Sequence, residues 1–195
     1  MEAENYLELR VEDFLGRIAA SEQAPGGGTA AAITVAAAAG LVAMVARCSK
    51  DSWPDAAGVA AQALQIQRRA GPLASTDAEA WNDALAALRD AGAAPTRNDA
   101  SLEQKLELAA AVPLEIAQLG ADVAELAVLA GERCEGSFQA DAAAAAALAA
   151  GATRAALHLV QVNLGVREGD TRLERARESE QTASSAAERV LGSLR

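Results

Sequence analysis

Alanine saturation constrains this chain most. Alanine occupies 53 of the 195 positions, while aromatic residues make up 3%. Alanine is the best helix former and a poor strand former. A chain built this way is expected to be all-α, and no alternating apolar–polar run of strand type contradicts that. Hydrophobic residues reach 51%, which is ample for a core, and the length fits one domain over residues 1–195.

The apolar pattern divides the chain into about six helices. Leu7 to Ser21 carries Val11, Phe14, Leu15 and Ile18 at helical spacing. Pro25 and three glycines then break the pattern, and Thr29 is placed to cap a helix running to about Lys50. Asp55 to about Ala91 reads as one helix with a kink at Gly71-Pro72. Asn98 to about Arg133 reads as another, kinked at Pro113, with a loop over Gly92–Arg97 between the two. Phe138 to Leu164 and Thr171 to about Leu194 complete the set, joined by a turn at Gly165–Asp170. Long helices with short connections pack as an antiparallel bundle. Flat alanine faces leave surface that one subunit does not cover, so a homodimer is expected.

Charge and cysteine content narrow the partners. The net charge is −10, with 17 basic residues scattered among 27 acidic ones. Phosphate neutralisation needs clustered Lys and Arg, so nucleic acid and anionic membrane are not expected partners. Cys48 and Cys134 form no CxxC pair, and one histidine, His158, completes no zinc pattern; no metal is expected. The acidic N-terminus is no signal peptide, and the thiols suit a reducing cytoplasm. Thr29 to Ala46 is uncharged over eighteen residues. Its alanine content, with Thr34 and Gly40 inside, reads as a buried core helix rather than a membrane span.

Two features carry chemistry. At helical spacing, Val59, Ala63, Ile66, Ala70, Leu73, Asp77, Trp81, Ala84 and Leu88 form one stripe, apolar except for Asp77. A carboxylate on a core face is costly unless paired. Desolvation, sharpened by Trp81 one turn on, raises its pKa toward the range where an acid or base works. The plain alternative is a buried aspartate satisfied by a hydroxyl or an arginine. The second feature is Pro25-Gly26-Gly27-Gly28-Thr29 directly before a helix. Glycines free backbone N–H groups to face a ligand at a positive helix end, but a triple glycine alone is more often a turn. Asp141 in the first turn of the fifth helix suits the helix dipole, and Asn163 suits that helix's end. His158 in an apolar run reads as a core histidine, and the two cysteines read as buried, inert thiols. The charged last helix reads as a solvated face.

In combination these pieces resemble a known family. Phe14-Leu15 and Ile18-Ala19 lead into Pro25-Gly26-Gly27-Gly28-Thr29-Ala30-Ala31. Asp77-Ala78-Glu79-Ala80-Trp81, Val112-Pro113-Leu114, and Asp141 some twenty residues before Asn163 follow. The whole chain resembles the cyclodeaminase/cyclohydrolase family of folate one-carbon enzymes. The resemblance implies a dimerising helical bundle with Asp77 as the catalytic acid/base. It implies a folate pocket formed with Gly26, Gly27, Gly28 and Thr29, and by Trp81, Asp141 and Asn163. A tetrahydrofolate derivative is the substrate it implies, with no cofactor. The absence of an attached formiminotransferase domain leans toward the cyclohydrolase reaction. The departures are local. The family's basic run after the second helix reads Cys48-Ser49-Lys50-Asp51-Ser52-Trp53 here, leaving Lys50 alone to meet a glutamate tail. Its Gly-Asn reads Cys134-Glu135, its Asn-Val reads Leu159-Val160, and its Phe is Trp81. These losses keep a second expectation open: a non-catalytic binder of a folate-like ligand, or a helical interaction protein.

Overall fold

The computed structural model describes residues 5–22, 24–90, 100–164 and 170–193, and every regular element among them is helical. The helices are α1 (Val11–Ile18), α2 (Gly27–Cys48), α3 (Ala56–Ala70), α4 (Leu73–Asp90), α5 (Ala100–Arg133), α6 (Gln139–Leu164) and α7 (Thr171–Ser193), with short 3-10 turns at Tyr6–Glu8 and Gly136–Phe138. The loop expected over Gly92–Arg97 and most of the turn after Leu164 lie outside the described residues.

α2 is the axis of the bundle and packs against α3, α4, α5 and α6. Twelve of its residues are buried, nearly all of them Ala or Val. Small side chains on facing helices let backbones approach closely, and three contacts show it. Gln67 of α3 donates its side-chain amide to the Ala36 carbonyl of α2 at 3.2 Å, and a Cβ on Gly40 would lie 2.8 Å from that amide nitrogen. Where α5 crosses α6, the Thr153 hydroxyl occupies the space that a Cβ on Gly120 would need. Near the start of α2, Leu159 of α6 packs 3.8 Å from the Cβ position of Gly27. This last contact joins the start of α2 to the end of α6, so the two helices are antiparallel. Both are long and apolar enough to cross a membrane by length and composition; 61% of the α2 stretch is buried inside the bundle, as a core helix requires.

Four expectations change in detail. Gly71-Pro72 does not merely kink one helix. It separates α3 from α4, because proline cannot supply the N–H that continues the ladder. The first helix is only eight residues long and buries none of them: Val11 is 74% and Leu15 58% exposed, while Phe14 turns inward against the Tyr6 ring. On α4 the core face is Ala74, Ala78, Ala80 and Ala84. Leu73, Asp77 and Trp81 therefore lie at its half-buried margin, and Leu88 is exposed. His158 and Cys48 are exposed rather than buried, and Cys134 is half-buried. Their apolar neighbours are alanines, which signal burial less strongly than Leu, Ile or Phe does.

The expected kink at Pro113 is accommodated inside α5, and its consequence is visible. A proline inside a helix leaves the carbonyl four residues earlier without its donor. That carbonyl belongs to Ala109, and the Asn163 side-chain amide donates to it at 2.6 Å.

Candidate active site

Asp77 sits in the second turn of α4, facing the first turn of α2. Three neighbours define its surroundings. Gly28 lies so close that a Cβ there would fall on the Asp77 carboxylate. The backbone N–H of Thr29 donates to that carboxylate. The Thr29 hydroxyl, fully buried, donates to the Ala74 carbonyl at 3.0 Å and pins α2 onto α4. Thr29 is therefore an interhelical clamp and not the expected cap; Gly26 holds the N-cap position.

The glycine loop has a physical reason here. The first turn of a helix presents N–H groups without intrahelical acceptors and a positive partial charge. Without side chains at Gly27 and Gly28, that turn reaches the carboxylate directly. Two opposing effects then act on Asp77. Burial raises its carboxyl from the ordinary 3.8, and the Thr29 N–H lowers it; burial wins, and the pKa rises to about 6. A carboxyl at that value exchanges its proton readily near neutrality. Asp77 is half-buried, so the cradle still opens to solvent, and half-buried Trp81 lies one turn along the same helix.

The structure gathers only some of the expected site residues. Gly26, Gly27, Gly28 and Thr29 meet Asp77 through the first turn of α2. Asn163 is one turn beyond Leu159, near this end of the bundle, but its amide is engaged on the Ala109 carbonyl. Asp141 begins α6, eighteen residues before Leu159, so about 27 Å of helix separates it from the glycine turn. Within one chain it does not reach the cradle. Leu159 was read only as a departure from the family's Asn-Val pair; its contact with Gly27 places it beside the glycine turn.

Of the four places that depart from the family pattern, Leu159-Val160 and Trp81 lie near the Asp77 end, and the other two lie away from it. Buried Ser49 accepts from the Glu135 N–H at 3.2 Å, and the Ser52 hydroxyl reaches the Glu135 carboxylate at 3.4 Å. Cys48–Trp53 and Cys134–Glu135 thus meet at one end of α2. Asp77 is at the other end, about 33 Å away along that 22-residue helix. One further carboxyl, Asp122 on α5, is also raised by burial, but the Arg69 guanidinium pulls it back and no glycine turn faces it.

The sequence matches the formiminotransferase-cyclodeaminase family over residues 10–182. The chain belongs to that family. Among solved structures it is similar to the formiminotetrahydrofolate cyclodeaminase of Thermotoga maritima, with a TM-score of 0.84 and 23% identity over 94% of each chain. That likeness shows a shared fold. A comparison with curated proteins returns no match.

Proposed function

We propose that this chain is a folate one-carbon enzyme that opens or closes the methenyl bridge of tetrahydrofolate, with Asp77 as its general acid/base. One observation carries the reading: a carboxyl lifted to about 6 by burial, held against a glycine-bared helix start. Family membership supplies the substrate class.

The chemistry asks little else of the protein. In cyclodeamination, N10 of the folate attacks the formimidoyl carbon on N5, and the carbon–nitrogen bond to the departing nitrogen breaks. The N10 proton passes to that nitrogen, protonated Asp77 gives it a second, and ammonia leaves. In cyclohydrolysis, ionised Asp77 takes a proton from the water that adds to the methenyl carbon; it then returns the proton to N5 as the carbon–N5 bond breaks, and the hydroxyl proton leaves to solvent to give a formyl group on N10. In both, the carboxylate stabilises positive charge at the reacting carbon. Proton transfer alone drives either reaction, so the reading needs no metal or redox cofactor. It carries with it a small-molecule folate substrate, a homodimer and a cytoplasmic setting.

The name of the Thermotoga neighbour favours cyclodeamination; the two reactions separate by pH. After subtraction of the uncatalysed rate, kcat/KM should inflect near pH 6. It should fall above the inflection if Asp77 acts as an acid on formimidoyltetrahydrofolate, and rise through it if Asp77 acts as a base on methenyltetrahydrofolate. Tight folate binding without turnover would instead favour a ligand-binding protein.

A further inference from the structure

The first turn of α2 is flanked from two helices. From α4, the Asp77 carboxylate fills the space beside Gly28. From α6, the two methyl groups of Leu159 lie 3.8 and 4.0 Å from the Cβ position of Gly27. Gly27 and Gly28 are successive residues, so the two side chains meet the turn about 100° apart around its axis. Both are half-buried, and so is Trp81, one turn beyond Asp77. A ligand on the open side of this turn lies between a carboxyl and a hydrocarbon wall.

The wall bears on water. A nucleophilic water has two O–H groups to place and must keep a lone pair for the carbon it attacks. Asp77 accepts from one O–H. The bared turn does not accept from the other, because the groups it exposes are N–H donors. Nearby acceptors are already engaged: the Gly26 carbonyl by the Ala30 N–H at 3.1 Å, and the Ala74 carbonyl by the Thr29 hydroxyl at 3.0 Å. Asn163, one turn beyond Leu159, spends its amide on the Ala109 carbonyl at 2.6 Å. Leu159 itself carries no polar atom. An ordered water makes about three hydrogen bonds, so one placed against Leu159 is held poorly.

The two folate reactions differ in this need. Closing the bridge takes its nucleophile from the substrate. The N10–carbon bond forms, the carbon–nitrogen bond to the departing amine breaks, and ammonia leaves with one proton from N10 and one from Asp77. Opening the bridge forms a carbon–oxygen bond to water and breaks the carbon–N5 bond. N5 gains a proton, and a second proton goes to solvent.

We propose that Leu159 is a specificity-determining residue: it withholds water from the carbon beside Asp77, so the site closes the bridge far faster than it opens it. This rests on the folate reading and adds the choice between its two reactions.

The test compares kcat/KM of the full chain on formimidoyltetrahydrofolate and on methenyltetrahydrofolate, each less the uncatalysed rate. Absorbance of the methenyl chromophore is the readout, and circular dichroism is the folding control. The parent should close the bridge at least about a hundredfold faster than it opens it. Leu159→Asn keeps nearly the same shape and adds an acceptor. It should raise opening relative to closing about tenfold, as one added hydrogen bond allows. Leu159→Gln should move the ratio the same way, and Leu159→Met, apolar again, should keep the parental ratio. A merely structural role would slow both reactions together. A parent that opens the bridge as fast as it closes it, or polar variants that leave the ratio unchanged, would overturn the inference while the folate reading stands. A folded parent silent on both substrates would overturn the folate reading and the inference with it.

Discussion

Replacing Asp77 by Asn should stabilise the protein at neutral pH while disabling it. Burial lifts the folded-state carboxyl from 3.8 to about 6. The folded chain therefore holds that proton more tightly than the unfolded chain does. The resulting contribution to stability is complete below pH 3.8 and is lost as pH rises through 6, where the charge must be kept in the cradle. At 1.36 kcal/mol for each pH unit, the gap corresponds to about 3 kcal/mol. Partial exposure of the carboxylate reduces this to about 2 kcal/mol. Asparagine keeps the shape and an oxygen for the Thr29 N–H, and it carries no charge. Denaturant unfolding of parent and Asp77→Asn at pH 4 and pH 7.5 measures the difference. The two should match at pH 4. At pH 7.5 the variant should be more stable by about 2 kcal/mol, or about 4–8 °C in Tm for a chain of this size. An aspartate that merely satisfies a core neighbour gives the opposite sign. A destabilised variant at pH 7.5, or a difference that does not change with pH, would refute the reasoning.

Three further outcomes follow from the same geometry. Gly28→Ala puts a methyl group onto the Asp77 carboxylate, so it should cost about 1–3 kcal/mol in thermal unfolding and remove most of the turnover. Thr29→Val should cost about 1 kcal/mol by losing the 3.0 Å hydrogen bond to Ala74, and Thr29→Ser should retain most of it, by the same measurement. Asn163→Ala should cost about 1–3 kcal/mol in the parent and much less beside Pro113→Ala, where a new backbone N–H reaches the Ala109 carbonyl. A double-mutant cycle reads that coupling, and strict additivity would mean that Asn163 does something other than serve the proline.

The bundle was legible because its signals are local. Alanine content, apolar spacing and the breaks at Pro25–Gly28 and Gly71-Pro72 act within a few residues of where they stand. Asp77 was legible for the same reason, as a lone carboxylate in an apolar stripe. Its true position at the margin of α4 was not, because alanines on the adjoining face bury as well as the larger residues of the stripe. The clamp made by Thr29, in place of the expected cap, and the Asn163 bond across to α5 were not legible, because their partners, Ala74 and Ala109, are backbone carbonyls 45 and 54 residues away. Backbone acceptors leave no mark in a sequence. The place of Leu159 beside the glycine turn was hidden in the same way, since its contact is with a glycine. The exposure of His158 and Cys48 was hidden by alanine neighbours that are apolar yet small enough to tolerate solvent.

The claim that Asp77 moves protons at a folate one-carbon centre is tested most directly by absorbance. Parent and Asp77→Asn are compared on methenyltetrahydrofolate and on formimidoyltetrahydrofolate. The account predicts that the parent consumes or forms the methenyl chromophore above the uncatalysed rate. The folded variant should be slower by about a hundredfold or more while still binding the folate. Turnover by Asp77→Asn near the parent rate, or silence of the folded parent on both substrates, would contradict it.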